Sequence, residues 1–305
     1  MSVELASPAP TALAGRPARA MDYLLLLKPR VMSLVVFTGA AGLLAAPGAP
    51  DPLLAAAIVL AIAGGAGAAG ALNMWYDADI DAVMRRTRMR PVPSGLVPKE
   101  EALGLGVFLG LLSVALAALA GGPLCAGLLA FSIWFYAVVY TQWLKRRTAQ
   151  NIVIGGLAGA LPPAIGWAGA AGVAPVDAWI LVTVIFLWTP PHFWALALYR
   201  NGDYADAGVP MLPVVAGERE TRRQIWFYSL ATVGASLLPA ATGLGGWAYG
   251  VCAALAGLVF LALAWRVRFG AAARAERAAR DLFAYSILYL FVLFGALLFE
   301  HGLGR

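Results

Sequence analysis

The chain is written in long apolar runs separated by short charged ones. No Asp, Glu, Lys or Arg occurs in 31–50, 52–76, 102–144, 148–176, 178–199, 224–265 or 282–299. A helix of about 20 apolar residues crosses a bilayer, and every run reaches the range over which this is possible. The 43 residues of 102–144 and the 42 of 224–265 exceed one crossing and predict two each. Gly121-Gly122-Pro123 and Gly245-Gly246 lie near their centres and supply the turns. The pattern therefore predicts nine transmembrane helices with no strand, soluble domain or linker between them. The fold class is an all-α integral membrane protein, one transmembrane domain over 22–301. The Ala/Pro-rich segment 1–21, with scattered Arg and no apolar core, reads as a disordered tail rather than a signal peptide.

Composition agrees. Of 305 residues, 61% are hydrophobic and 12% charged, about half the charged share of a soluble domain. Cys125 and Cys252 lie in separate apolar runs without metal-ligand spacing and read as buried free thiols. The net charge of +6 does not point to nucleic acid, because of where the charges fall. The N-terminal segment and the loops after the second, fourth, sixth and eighth predicted helices hold 21 of the 22 Lys and Arg residues; the other is Arg305. By the positive-inside rule the N-terminus and these loops are cytoplasmic and the C-terminus is outside.

The candidate chemistry lies on that same side. Asn73, Asp77 and Asp81 recur at a spacing of four where the second helix leaves the membrane. On a helix they share one face, whereas Asp79 falls on the far side. Two carboxylates and an amide in a column offer hard oxygen ligands to a divalent cation such as Mg²⁺, which commonly carries a diphosphate. Arg85, Arg86, Arg88 and Arg90 follow at once. Arg86 and Arg90 are four apart and share a face if the helix continues, making a clamp for phosphate oxygens. Lys145 and Arg146, in the short turn after the fourth helix, are within reach of the same diphosphate. A second cluster, Arg200, Asp203 and Asp206, follows the sixth helix and faces the first. His192, inside the sixth helix, is either a haem contact, a proton-transfer group or a hydrogen-bonded structural histidine. His301 reads as a surface residue. Gly65, Gly67 and Gly70 match a dinucleotide fingerprint by letters only, follow no strand, and read as small-residue helix packing.

These residues resemble the intramembrane prenyltransferases of the UbiA superfamily, whose first motif is Asn-x3-Asp-x3-Asp, and within it the branch that farnesylates haem. The supporting strings are Leu27 to Val31, Asn73 to Pro91, Tyr140 to Gly156, Pro190 to Trp194 and Asp203 to Pro213, so the likeness runs from Lys28 to about Phe294. Asp206 stands three residues after Asp203, not the family's four, and only Asp203 is carried over as a ligand. The resemblance implies a UbiA-like bundle in a bacterial inner membrane, with catalytic residues Asn73, Asp77, Asp81 and Asp203. Asp77, Asp81 and Asp203 would hold Mg²⁺ or Mn²⁺, and Arg86, Arg90, Lys145, Arg146 and Arg200 the diphosphate. His192, Lys28 and Arg30 would meet the haem, the last two at its propionates. Farnesyl diphosphate and haem b would be the substrates and haem O the product, passed to a downstream haem-modifying enzyme or a terminal oxidase assembly. Two rival readings are a prenyltransferase for an aromatic acceptor such as 4-hydroxybenzoate, and a secondary transporter. A transporter would place ionisable groups and broken helices at the membrane midplane.

Overall fold

The computed structural model describes residues 16–48 and 51–303, and these are helical throughout, with no strand among them. Of the predicted tail, residues 1–15 lie outside the described residues. Arg16 already pairs with Asp22 at 2.9 Å, and a short helix α1 (Ala20–Leu26) begins inside the tail's predicted bounds. The chain then bends by 55° into α2 (Pro29–Ala45). Pro29 opens α2 where its missing N–H costs nothing, and Lys28 at the bend has φ 51°, the one positive φ outside glycine among the described residues.

Helix α3 (Pro52–Tyr76) is capped by Asp51, whose carboxylate accepts from the amides of Leu53 and Leu54 at 2.8 and 3.1 Å. A one-turn helix α4 (Ala78–Val83) follows. Next, α5 (Lys99–Trp134) runs on as a π-helix, Phe135–Leu144. Its regular geometry fails at Gly122, whose φ of 80° no residue with a side chain adopts easily. The two halves run in opposite directions. Gly64 lies against Ser113 and Leu72 against Gly106, so the first half is antiparallel to α3. Asn73 meets Thr141 and Asp77 meets Lys145, the same offset both times, so the second half is parallel to it.

The predicted fifth helix is broken into α6 (Asn151–Ala160) and α7 (Pro162–Ala171) at Leu161, because Pro162 and Pro163 have no N–H to give. α8 (Val176–Tyr199) is continuous despite Pro190 and Pro191. The short helices α9 (Asn201–Asp206) and α10 (Leu212–Val215) lead into α11 (Gly217–Ser236), α12 (Leu238–Thr242), α13 (Trp247–Phe269) and α14 (Ala275–Leu303). By length and composition, seven helical stretches among the described residues are able to cross a membrane, or eight with the bent α1–α2 pair taken as one span. The predicted number differs because the 46 residues of Lys99–Leu144 count there as one stretch.

The core is small-residue packing. A side chain on Gly166 of α7 would strike the carbonyl of Gly39, and one on Gly42 the backbone of Pro163, so α2 and α7 touch main chain to main chain. The α6–α7 pair and α8 are the most buried stretches, wrapped by α2, α11 and α14, while Leu60, Leu111 and Leu119 face outward.

Candidate active site

The acidic column survives the end of α3. Asp77 sits between two helices with φ −83° and ψ 7°, yet its amide still reaches the Asn73 carbonyl at 2.9 Å, and the Asp81 amide reaches the Asp77 carbonyl at 2.8 Å. Asn73, Asp77 and Asp81 therefore stay in line and are buried, with exposures of 3%, 0% and 1%; Asp79 points out.

Cations from three other segments meet this column. Lys145 donates to Asp77 Oδ2 at 2.5 Å, and Asn73 Nδ2 donates to the same oxygen at 2.7 Å. Lys28, from the α1–α2 bend, donates to Asn73 Oδ1, and Asn73 Nδ2 also reaches Thr141 Oγ1 at 3.1 Å. Arg90 pairs with Asp81 at 2.6 Å, while the Thr87 hydroxyl holds the Asp81 carbonyl at 2.9 Å. Arg146 forks onto Asp79 with two bonds of 2.7 Å, lies 3.6 Å from Asp77 Oδ1 and sits 4.8 Å over the Tyr76 ring. This hydrogen bonding pulls the Asp79 carboxyl down to about 2. Lys28, Arg90, Lys145 and Arg146 thus stand among the carboxylates of Asp77, Asp79 and Asp81. An anion is welcome here, and free carboxylates alone would have repelled it.

Two sequence expectations change. Arg86 and Arg90 share no helix face, because Met84 is extended and residues 84–97 fold into successive turns. Arg90 goes to Asp81, whereas Arg86 is exposed and lies close to the Tyr204 phenol, which burial raises above its ordinary range and Arg86 draws back. Lys28, expected at a haem propionate, instead donates to Asn73 and so joins the column.

The second cluster approaches through an apolar joint. Ile80 and Met84 pack with Tyr204, Val209 and Met211, which brings the α9 loop to the column. Asp203 Oδ2 and Asn201 Oδ1 are sealed from solvent without a hydrogen-bond partner, as is Asp77 Oδ1 apart from the 3.6 Å contact with Arg146. Asp206 is exposed. Arg200 is exposed too, lying 5.7 Å over the Tyr199 ring, which Arg280 of α14 also approaches at 5.4 Å. Arg30 is exposed and forms no ion pair among the described residues. No three acidic, His or Cys side chains among the described residues converge as a metal cage. The donor set suits Mg²⁺ all the same, since that ion is usually held by one or two carboxylates together with phosphate oxygens.

His192 lies deeper in α8 and is buried. Its ring is stacked between Trp188 at 4.2 Å and Phe283 at 4.6 Å, with Phe193 edge-on at 5.2 Å. Nδ1 is 2.6 Å from the Ser286 hydroxyl of α14.

Sequence reasoning passed over Thr141, Tyr204 and Ser286. The π-helical turn, marked by the Lys145 amide bonding back to Tyr140 O at 2.9 Å, sets Thr141 and Lys145 on the column. Thr141 and Ser286 are ordinary polar residues in apolar runs and Tyr204 one residue of a polar loop, and only a distant partner marks each out.

Residues 34–296 match the UbiA prenyltransferase family. A protoheme IX farnesyltransferase of Caulobacter sp. (strain K31) is 62% identical, the alignment covering 95% of this chain and 92% of that one. One from Hyphomonas neptunium is 57% identical over 99% of this chain and 97% of its own. Among solved structures, a digeranylgeranylglyceryl phosphate synthase superposes with a TM-score of 0.75 at 18% identity, covering 92% of this chain and 98% of its own. A UbiA homolog from Archaeoglobus fulgidus bound to DMAPP and Mg²⁺ gives 0.67 at 17%, covering 90% and 99%. At such identities these two speak for the fold.

Proposed function

Because the chain belongs to the UbiA prenyltransferase family, we propose that it transfers the farnesyl group of farnesyl diphosphate to a vinyl group of haem b, with addition of water, to give haem O. One observation carries this: the buried Asn73–Asp77–Asp81 column, met by four cations from three other segments, in a chain 62% identical to a protoheme IX farnesyltransferase.

Lys28, Lys145, Arg90 and Arg146 take the diphosphate oxygens, and Arg86 reaches the same anion from the Tyr204 side. As the C–O bond breaks, its electron pair leaves with the diphosphate, and these fixed positive groups meet the charge that develops. Asp77 and Asp81, with Asp203 drawn in from the α9 loop, would hold a divalent cation, which would supply further positive charge to the departing diphosphate. The vinyl π electrons form the new C–C bond to the allylic cation. Water adds to the carbon left positive beside the porphyrin and loses a proton. The apolar walls of α6, α8 and the π-helix keep other water from the cation. His192, deeper than the column, faces the haem.

Nine crossings, a cytoplasmic N-terminus and an outer C-terminus complete the reading. The opposed halves of α5 support two crossings there, and the one-sided Lys and Arg support the orientation. The site then opens at the cytoplasmic face of the bacterial inner membrane, from which haem O passes to a haem-modifying enzyme or an oxidase assembly. The test incubates purified protein with haem b, farnesyl diphosphate and Mg²⁺ and weighs the haem. A gain of one farnesyl group plus one water, less the proton that the added water releases, is expected; haem b recovered unchanged overturns the proposal.

A further inference from the structure

The hydrogen-bond network around His192 assigns one of its two tautomers. The Ser286 hydroxyl has one hydrogen, and it points back along α14 to the Phe283 carbonyl at 2.6 Å. With its hydrogen so placed, that oxygen is left to accept from His192 Nδ1, 2.6 Å away, which assigns the tautomer from the hydrogen-bond network. Nδ1 therefore bears the hydrogen and Nε2 bears a lone pair. Nε2 forms no hydrogen bond among the described residues and is not among the polar atoms sealed from solvent, so the small exposed part of the ring includes it. The ring is fixed on all other sides. Trp188 and Phe283 cover its two faces, lying within 18° and 23° of parallel, and Trp188 Nε1 donates to the Ser286 carbonyl at 2.8 Å. Ser286 thus anchors both the imidazole and the indole beside it.

The geometry points to His192 Nε2 as an axial ligand of the haem iron, with Ser286 as the positioning residue that holds it in the ligating tautomer. This rests on the proposed haem substrate and names how it is held. A metal-bound histidine typically donates its other N–H to a fixed acceptor, which orients the ring and strengthens the ligand. Here the acceptor is the serine oxygen. Proton transfer is the poorer use of this arrangement, because the Ser286 hydrogen is committed to a helix carbonyl and leads nowhere.

The experiment titrates ferric haem b and metal-free protoporphyrin IX into the purified protein and records absorption and electron paramagnetic resonance spectra. The wild type is expected to give a histidine-ligated iron spectrum. His192→Ala should lose that signature and bind haem b more weakly, while protoporphyrin IX affinity stays unchanged. His192→Gly should regain the signature with added imidazole. Ser286→Ala should shift the spectrum and weaken haem b, and Ser286→Thr should restore both. Binding of a farnesyl diphosphate analogue reports that each variant is folded. If haem O is formed but the iron spectrum is the same in His192→Ala, the ligand assignment is overturned and the proposed reaction stands. If the wild type makes no haem O, the reaction itself has failed, whatever the spectra show.

Discussion

At the scale of residues, Asp77, Asp79 and Asp81 have different tasks although they fall within five positions. Asp77 and Asp81 are buried and bonded to Lys145 and Arg90, whereas the Asp79 side chain is 59% exposed and pairs with Arg146. Asp77→Ala or Asp81→Ala should therefore lower kcat by ~10²–10³-fold, as loss of a charge-stabilising group does, with the protein still inserted and monodisperse. Asp79→Ala should leave most activity in the same assay. Its carboxyl has a second, measurable property. The Arg146 hydrogen bonds lower it to about 2 from an unfolded value near 4. A lowered carboxylate stabilises the fold fully above the unfolded value and loses that contribution as pH falls from about 4 through about 2. Thermal melts across that window should be steeper in pH for the wild type than for Asp79→Asn, and equal slopes would remove the pair from the account. The column itself was legible from spacing alone, because i, i+4 geometry is local. Thr141, Tyr204 and Ser286 were not, because their partners lie tens of residues away.

At the scale of elements, charge-free runs located α3, α8 and α13 closely, since in lipid every backbone bond must close within the helix. Other features depend on local chemistry that hydropathy does not register. α11 begins at Gly217, ahead of its apolar run, because Arg222 pairs with Glu218 at 2.7 Å and Gln224 with Glu220 at 2.7 Å, one turn apart. The break at Leu161 and the π-helix before Lys145 come from proline and from ring-on-ring packing of Tyr136 and Tyr140 at 5.3 Å. The α2–α7 contact makes a direct test. Gly166→Ala puts a methyl group against the Gly39 carbonyl and should cost about 1–3 kcal/mol, seen as a lower Tm in detergent. Gly159→Ala, on an exposed face with nothing within 4 Å, should melt at or above the wild type. A Gly166→Ala melt equal to the wild type would show that these helices do not approach so closely.

At the scale of the whole molecule, the one-sided charge predicts accessibility. In a background without Cys125 and Cys252, cysteines at Met89, Ala216 and Ala273 should react with a membrane-impermeant reagent only from the cytoplasmic side, and those at Val173 and Trp247 only from outside. Reversal at two positions would invert the topology. The same clustering of charge gives the ligand-free protein its own counter-ions. A metal ion accepted by Asp77 and Asp81 would weaken their pairs with Lys145 and Arg90, and those cations would then need new anions. Conversely, cations that turn to a diphosphate leave two buried carboxylates bare. Each exchange is unfavourable alone and favourable when both occur, so metal and diphosphate should raise one another's affinity by the same factor. In melts, Mg²⁺ alone and pyrophosphate alone should each shift Tm little, and the two together by more than the sum. Strictly additive shifts would mean that the ion pairs are not exchanged at all. Where the shifts are synergistic, the cluster acts as an AND gate, and the membrane-embedded bundle tightens only when a complete metal–diphosphate pair has arrived.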